Sequence, residues 1–396
     1  MAVSREAGRA GERGSLKNLI AAIATIVVAD IGFGLTYPLL NVVLEARRVD
    51  AAVIGLNAAM GPLGIIAAGP LIPLLARSVG GKRLALAAIL AIILVLLSFP
   101  LLPSLGVWFL TRFLFGVAGG TLYTLSEAWI VGFAPADARG RVAAIYGSML
   151  SLGFCIGPFL LPYTGVEGYL PFVLAVILVG LSAFPLFFID LADTEAEQRG
   201  GTTMLGFARR APLLLFAVAT LTMFDAVMLA FFPIFGLRSG LDLKSASWAL
   251  AVAIAGNAVL QYPVGWLADR WSRKGVLWLA VIATPLLALS LPVVVLTPLL
   301  WPVALLLGTS AYAVYIIAMT VMGDRFQGRD LVAGSAAFAA MWGVGGIIGP
   351  PLAGFALDLL GPSGIPFTMT AIYAGLIAGL WLARGELVRE AGGSRQ

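Results

Sequence analysis

Charge in this chain is gathered into short clusters, and the stretches between them are almost wholly apolar. A bilayer core about 30 Å thick is crossed by about 20 helical residues at roughly 1.5 Å each, and most of these stretches meet that length. Cutting the chain at the clusters predicts twelve spans: Leu19 to Leu44, Ala51 to Ala76, Leu84 to Leu105, Val107 to Phe133, Val142 to Thr164, Tyr169 to Ile189, Ala211 to Leu237, Ala246 to Ala268, Gly275 to Leu296, Leu299 to Met322, Leu331 to Leu357 and Gly364 to Leu382. Composition agrees: 60% of the 396 residues are hydrophobic and 11% charged, with a mean hydropathy of +1.00. A water-soluble globule of that make-up would expose far too much apolar surface, and a disordered chain would be more polar. Cys155 is the one cysteine, which excludes a disulfide scaffold. Histidine is absent, so any proton chemistry within the chain falls to carboxylates.

Cytoplasmic loops of membrane proteins collect Lys and Arg. With the N-terminus on the cytoplasmic side, 20 of the 25 basic residues fall inside, four (Arg47, Arg48, Arg238, Lys244) fall outside, and Arg112 lies within a span. The net charge of +5 therefore reports topology, with both termini cytoplasmic, and nothing in the chain points to nucleic acid. The halves also repeat. Asp30 precedes Pro38 by eight residues, and Asp225 precedes Pro233 by eight, 195 residues later. Gly157-Pro158 recurs as Gly349-Pro350, and Gly69 is matched by Gly265. Internal duplication of this kind is a signature of secondary transporters. It predicts an all-α fold with an N-terminal six-helix bundle over 1–189, a polar linker over 190–210 and a second bundle over 211–396.

The loop after span eight reads Gly265-Trp-Leu-Ala-Asp269-Arg270-Trp-Ser-Arg273-Lys274. An acid beside arginines in a short basic loop suits a latch that forms and breaks. These residues resemble the G-x-x-x-D-R-x-x-R-K loop signature of the major facilitator superfamily. The first-half copy, Gly69-Pro-Leu-Ile-Pro73-Leu-Leu-Ala-Arg77, has proline where the aspartate belongs. Arg112-Phe-Leu-Phe-Gly116-Val-Ala-Gly119 in span four is similar to the family's R-x-x-x-G-x-x-G motif. Gly153-Phe-Cys-Ile-Gly157-Pro158 in span five is similar to the G-x-x-x-G-P motif of its drug:proton antiporters. Glycines four apart permit close helix packing and proline bends a helix. Ser126-Glu127-Ala-Trp129 through Arg141, and Gly323-Asp324-Arg325-Phe326 through Asp330, resemble the YcaD-type branch of the superfamily. The resemblance implies twelve helices in two pseudo-symmetric bundles around a central cavity lined by spans one, four, seven and ten. It further implies a monomer in a bacterial inner membrane. Gating then falls to Gly69, Arg77, Gly265, Asp269, Arg270 and Arg273 in the loops, and to Gly153, Gly157 and Pro158 in span five.

Four ionisable side chains sit well inside predicted spans: Asp30, Arg112, Glu127 and Asp225. A charge at the bilayer centre costs about 2.5 to 3.5 kcal/mol on insertion scales, so each asks for a function or a partner. At about 100° per residue, Arg112, Gly116, Gly119, Tyr123 and Glu127 share one face of span four. Asp30, Gly34, Tyr37 and Asn41 share one of span one. Asn257 and Gln261 in span eight, and Tyr312, Tyr315 and Met319 in span ten, complete a set of substrate-cavity candidates. The expectation is that Asp30 or Asp225, with Glu127 as a third candidate, binds the coupling proton, and that Arg112 helps expel it. Fixed ion pairs or packing are the alternative reading of the same residues.

Proton-coupled export of a small amphipathic or cationic compound is the leading expectation, on the antiporter-like motif and the mixture of acids with aromatics. Symport of a sugar or metabolite is the second reading, and a receptor or lipid-moving protein without solute coupling is a third. An enzyme is not expected: the sequence shows no metal-ligand cluster, no phosphate-binding loop and no call for a cofactor. The expected partners are a small-molecule substrate, protons and the lipid bilayer.

Overall fold

The structure is a computed structural model and describes residues 2–135, 139–189, 204–326 and 329–382. Among these residues every regular element is helical: α1 (Ala2–Ala46), α2 (Ala51–Ala68), α3 (Ile72–Val79), α4 (Gly81–Leu101), α5 (Leu105–Phe133), α6 (Arg139–Thr164), α7 (Leu170–Leu181), α8 (Ala183–Leu186), α9 (Met204–Arg210), α10 (Pro212–Arg238), α11 (Leu243–Arg270), α12 (Arg273–Val294), α13 (Leu300–Arg325), α14 (Arg329–Leu360) and α15 (Gly364–Leu382), with a 3₁₀ turn at Gly361–Ser363. Ten stretches are long and apolar enough to cross a membrane. The last, Ala333–Leu382, holds both α14 and α15, and Leu170–Leu186 is a shorter apolar stretch, so all twelve expected spans are present.

Two boundaries differ from expectation. The second span ends at Ala68, not Ala76, because Gly69 and Pro70 interrupt it; Pro73 then sits in the first turn of α3, where its missing N–H costs nothing. α1 runs back to Ala2, through residues expected as a polar tail, because Ala, Arg and Glu there favour helix. The expected linker lies mostly outside the described residues. Only its end is seen, as α9, and the tail after Leu382 is likewise outside them.

Buried helices in an apolar solvent must satisfy polar groups internally. Thr25, Thr36, Thr111, Thr121, Thr220, Thr284, Thr309 and Thr368 each donate to the carbonyl four residues earlier on their own helix, at 2.7 to 2.9 Å. Helix ends are capped in turn. Asp242 accepts from the Ser245 amide at 3.1 Å, and hydrogen bonds from Ser245 hold its carboxyl below the ordinary aspartate value. Lys82 donates to the Phe187 and Ile189 carbonyls, where the sixth span ends.

The chain divides into two compact units. The first comprises Met1–Thr36 and Leu63–Gln198. Here the G-x-x-x-G-P segment of α6 packs backbone to backbone on α1: a Cβ on Gly157 would fall 2.1 Å from the Leu35 amide nitrogen, and one on Gly34 would fall 2.1 Å from the Phe154 carbonyl oxygen. Gly64 meets the Phe113 carbonyl of α5 just as closely, at 2.2 Å.

The second unit comprises Tyr37–Pro62 and Arg199–Gln396. The related glycines of α14 do the same work against α10, Gly345 against Thr222 and Met223, Gly349 against Met223. A second stripe of α14 meets the start of α2. Cβ atoms on Gly346 and Gly354 would strike Pro62 and Ala51, Gly55 presses on the Pro350 carbonyl, and the Asp358 carboxylate caps the Ala51 and Ala52 amides at 3.0 and 2.8 Å. Arg238 grips Glu45 through two parallel bonds of 2.6 and 2.9 Å.

Overpacking even a yielding core costs ~1 to 3 kcal/mol, and here the obstacle is backbone. Gly157→Val should therefore lower the thermal stability of detergent-purified protein markedly, whereas Gly147→Val, on the same helix with nothing within 4 Å of its Cβ, should leave the melt unchanged. Equal melts for the two variants would show that the close approach does not hold the first unit together.

Candidate functional site

The intramembrane carboxylates decide what this molecule can do, so the site is built from them outward. In the first unit Asp30 lies two-thirds of the way along α1 and is 1% exposed. A buried carboxylate needs donors, and α5 supplies one: the Tyr123 hydroxyl donates to Asp30 Oδ1. Tyr123 is held in register by its ring contact with Phe33, centroids 5.6 Å apart, and Phe33 packs edge-on against Phe115 at 5.4 Å. Glu127, one turn beyond Tyr123, is the other charged group acting on Asp30, and unlike Asp30 it is exposed. Tyr146 from α6 stands close enough to feel both acids. A Cβ on Gly153 of α6 would fall 2.8 Å from the Val27 carbonyl oxygen and 3.5 Å from the Asp30 Cβ. Two acids, one fully buried and one with surface exposure, thus act on each other with phenols beside them.

The second unit repeats the arrangement. Asp225 is 8% exposed in the middle of α10, and the Tyr312 hydroxyl of α13 donates to its Oδ1. Tyr373 of α15 faces the same carboxylate and donates to the Ala311 carbonyl at 3.0 Å, with Phe224 edge-on to its ring at 5.5 Å. Among the described residues neither aspartate has a basic side chain at ion-pair distance.

The remaining candidates fall in several environments. Arg112 is 1% exposed on α5, eleven residues before Tyr123 and so roughly 16 Å along the helix from it. Tyr37 lies beside Gly61, within the second unit. Asn41 is buried there too, and neither its Nδ2 nor its Oδ1 has a hydrogen-bond partner among the described residues. Asn257 is buried on α11 and Gln261 half-buried one turn on. Tyr315 packs into an aromatic group with Phe338, tilted at 6.2 Å, and Trp342, edge-on at 6.1 Å.

In the loop signature Arg273 bonds to Asp324 at the end of α13 and stands 3.8 Å from Asp269, while Arg270 lies over the Trp266 ring at 5.1 Å. Gly265 has open space around it, and Arg77 and Gly69 are exposed. Gly153, Gly157 and Pro158 are buried at the α6–α1 contact.

Sequence reasoning named every member of the two aspartate–tyrosine pairs but did not pair them. The signal was present: Tyr123 and Tyr312 stand 189 residues apart, close to the spacing of the aspartates. Tyr146, Tyr373 and the tie from Arg273 to Asp324 were missed, since tyrosine is ordinary in such helices and the Asp324 partner lies 51 residues downstream. No group of His, Cys, Asp and Glu able to hold a metal occurs among the described residues.

Comparison with known proteins bears on this arrangement. The sequence profile of the Major Facilitator Superfamily matches residues 22–339 and 245–395. The uncharacterized MFS-type transporter YfkF of Bacillus subtilis is 26% identical over 370 residues, covering 90% of this chain and 94% of that protein. The uncharacterized MFS-type transporter YcaD of Escherichia coli is 24% identical over 247 residues, 61% of this chain and 63% of that protein. Among solved structures, the nucleoside transporter NupG superposes with a TM-score of 0.73 at 14% identity, covering 93% of this chain and 98% of that one. A bacterial homolog of the human lysosomal transporter Spinster, inward-facing and occupied, gives 0.74 at 14%, covering 94% and 97%. At such identities the structures establish a shared fold.

The Arg273 to Asp324 tie is testable by charge exchange. Both side chains are partly exposed, so the pair is worth at most about 1 kcal/mol of stability. Arg273→Asp and Asp324→Arg should each lower the melting temperature slightly and the double exchange should restore it. A double variant no better than the singles would show that the two charges do not act on each other.

Proposed function

The chain belongs to the Major Facilitator Superfamily and is an integral membrane transporter, not an enzyme; from that premise we propose that it is a proton-coupled secondary transporter that exports a small amphipathic or cationic compound by alternating access. The observation that carries this reading is Asp30: a buried carboxylate in mid-helix with a phenol donor and no ion-pair partner among the described residues. An isolated carboxylate charge in an apolar interior costs many kcal/mol, and the group sheds that cost by taking up a proton. Exposed Glu127 one turn from Tyr123 supports a route by which the proton arrives and leaves. Arg112, buried on the same helix as Tyr123 and Glu127, supplies the positive charge that favours the deprotonated state when the helices rearrange.

The export direction is supported by the resemblance of Gly153 through Pro158 to the antiporter motif, and the cationic solute by the groups available. Asp30 beside Tyr123 and Tyr146, and Asp225 beside Tyr312, suit a cation with apolar surface, since aromatic faces and carboxylates both attract positive charge. Tyr37, Asn41, Asn257, Gln261 and Tyr312 provide further polar edges for the solute. The bundles 1–189 and 211–396 move about the segment 190–210, with Gly153, Gly157 and Pro158 as the bending region of the first and Asp269, Arg270 and Arg273 as the cytoplasmic catch of the second. Gly69, Arg77 and Gly265 occupy the corresponding loop positions. The protein works as a monomer in a bacterial inner membrane with both termini in the cytoplasm.

Proteoliposomes with an imposed pH gradient and an internal pH-sensitive dye test this reading. Lipophilic cations should provoke proton movement in wild-type protein, and Asp30→Asn should abolish it while leaving the protein folded. Proton movement in the same direction as the solute would overturn export in favour of symport. Solute equilibration with a silent dye would overturn proton coupling altogether.

A further inference from the structure

The aspartate–tyrosine pair occurs twice. Asp30 of α1 accepts from Tyr123 of α5, and Asp225 of α10 accepts from Tyr312 of α13. In each half these are the first and fourth spans, and in each the phenol donates to Oδ1, with no donor to Oδ2 among the described residues. Sequence duplication alone would repeat positions, not bonds; here the same bond has been kept between the same two helices. We propose that the protein holds two proton-binding sites, one in each half, with Tyr123 and Tyr312 as the positioning residues of the two carboxyls, so that two protons move in each transport cycle. This rests on the proton-coupled reading above.

Every facing group agrees with a proton, and not a metal or a fixed ion pair, as the neutralising species. Around Asp30 stand Tyr123 and Glu127 from α5 and Tyr146 from α6, and the α6 segment at Gly153 adds only backbone. Around Asp225 stand Tyr312 and Tyr373, with Tyr315 beside Tyr312; α14 meets α10 through Gly345 and Gly349, which carry no charge. Neither set contains a cation. A phenol fixed on Oδ1 serves both protonation states, because that oxygen accepts in the carboxylate and in the acid, while the proton joins and leaves Oδ2. The donor therefore holds the carboxyl in one rotamer through the cycle without consuming the site that titrates.

The two sites differ in their neighbours. Asp30 has Glu127 as an acidic neighbour, whereas the residue at the corresponding place in α13 is Ile316, and among the described residues the titratable groups acting on Asp225 are phenols. Two protons entering for one monovalent cation leaving also bring in one net positive charge, so the exchange is driven by membrane potential as well as by the pH gradient.

Infrared difference spectroscopy across a pH titration of the full-length protein in lipid nanodiscs tests this without a known solute, by following the carbonyl stretch of protonated carboxylic acids. Asp30→Asn and Asp225→Asn should each remove a separate titrating band, and the double variant should remove both. Tyr123→Phe should move only the Asp30 band to higher frequency and shift its midpoint, and Tyr312→Phe only the Asp225 band. Asp→Glu at either position, which keeps the acid and moves its band, replaces any Asn variant that does not fold. Loss of a band in only one of the two Asn variants would overturn the two-site proposal and leave the proton-coupled reading standing. No loss in either would overturn both. Tyrosine variants that leave frequency and midpoint unchanged would overturn the positioning role.

Discussion

A carboxylate inside a low-dielectric helix bundle must be paired, hydrated or protonated, and the described part of this protein pairs neither Asp30 nor Asp225 with a cation. Much else in the structure follows from accommodating those two groups. Each sits on a helix with a proline eight residues further on, each receives one phenol from a neighbouring helix, and in the first unit the ring contact with Phe33 holds that phenol in place. Buried threonines such as Thr25 and Thr220 donate to carbonyls of their own helices, and no threonine bond to either aspartate occurs among the described residues.

Close helix approach is the second requirement, and glycine meets it. α6 can bring Gly153 to the Asp30 Cβ only because Gly157, one turn away, lets its backbone rest on α1, and the Gly345–Gly349 pair lets α14 rest on α10 in the same manner. Glycine costs helix stability in water, but in an apolar solvent without a hydrophobic drive between helices, the packing it permits offsets that cost. α14 then carries a second small-residue face that ends in Asp358, whose carboxylate completes the N-terminus of α2.

How far the sequence alone reaches can be judged residue by residue. Span count followed from the periodic clustering of charge, and the four intramembrane charges from their isolation in apolar runs. The break after Ala68 was missed because hydropathy is blind to the conformational effect of Gly69-Pro70, and α8 and α9 are too short to leave a hydropathic trace. Tyr315, grouped with Tyr312 by helical spacing, does lie beside it, and it also packs on Phe338 and Trp342, partners on another helix that spacing does not name. Asp269 was read as able to pair with the nearby arginines, and Arg273 does stand 3.8 Å from it, but the closer bond of Arg273 runs to Asp324 on another helix, which the loop sequence does not reveal.

The amino-acid sequence by itself determined that this chain is helical and membrane-embedded, that its halves are duplicated, and that its proton chemistry has only carboxylates to use. Each of those depends on local properties: hydropathy, spacing and the absence of histidine. Which tyrosine serves which aspartate was decided only by the tertiary structure. Tyr123 lies 93 residues from Asp30 and Tyr312 lies 87 from Asp225, and no local propensity couples groups so far apart. Helix packing brings them together, because glycine contacts set the rotation and depth of each helix and thereby aim its polar face.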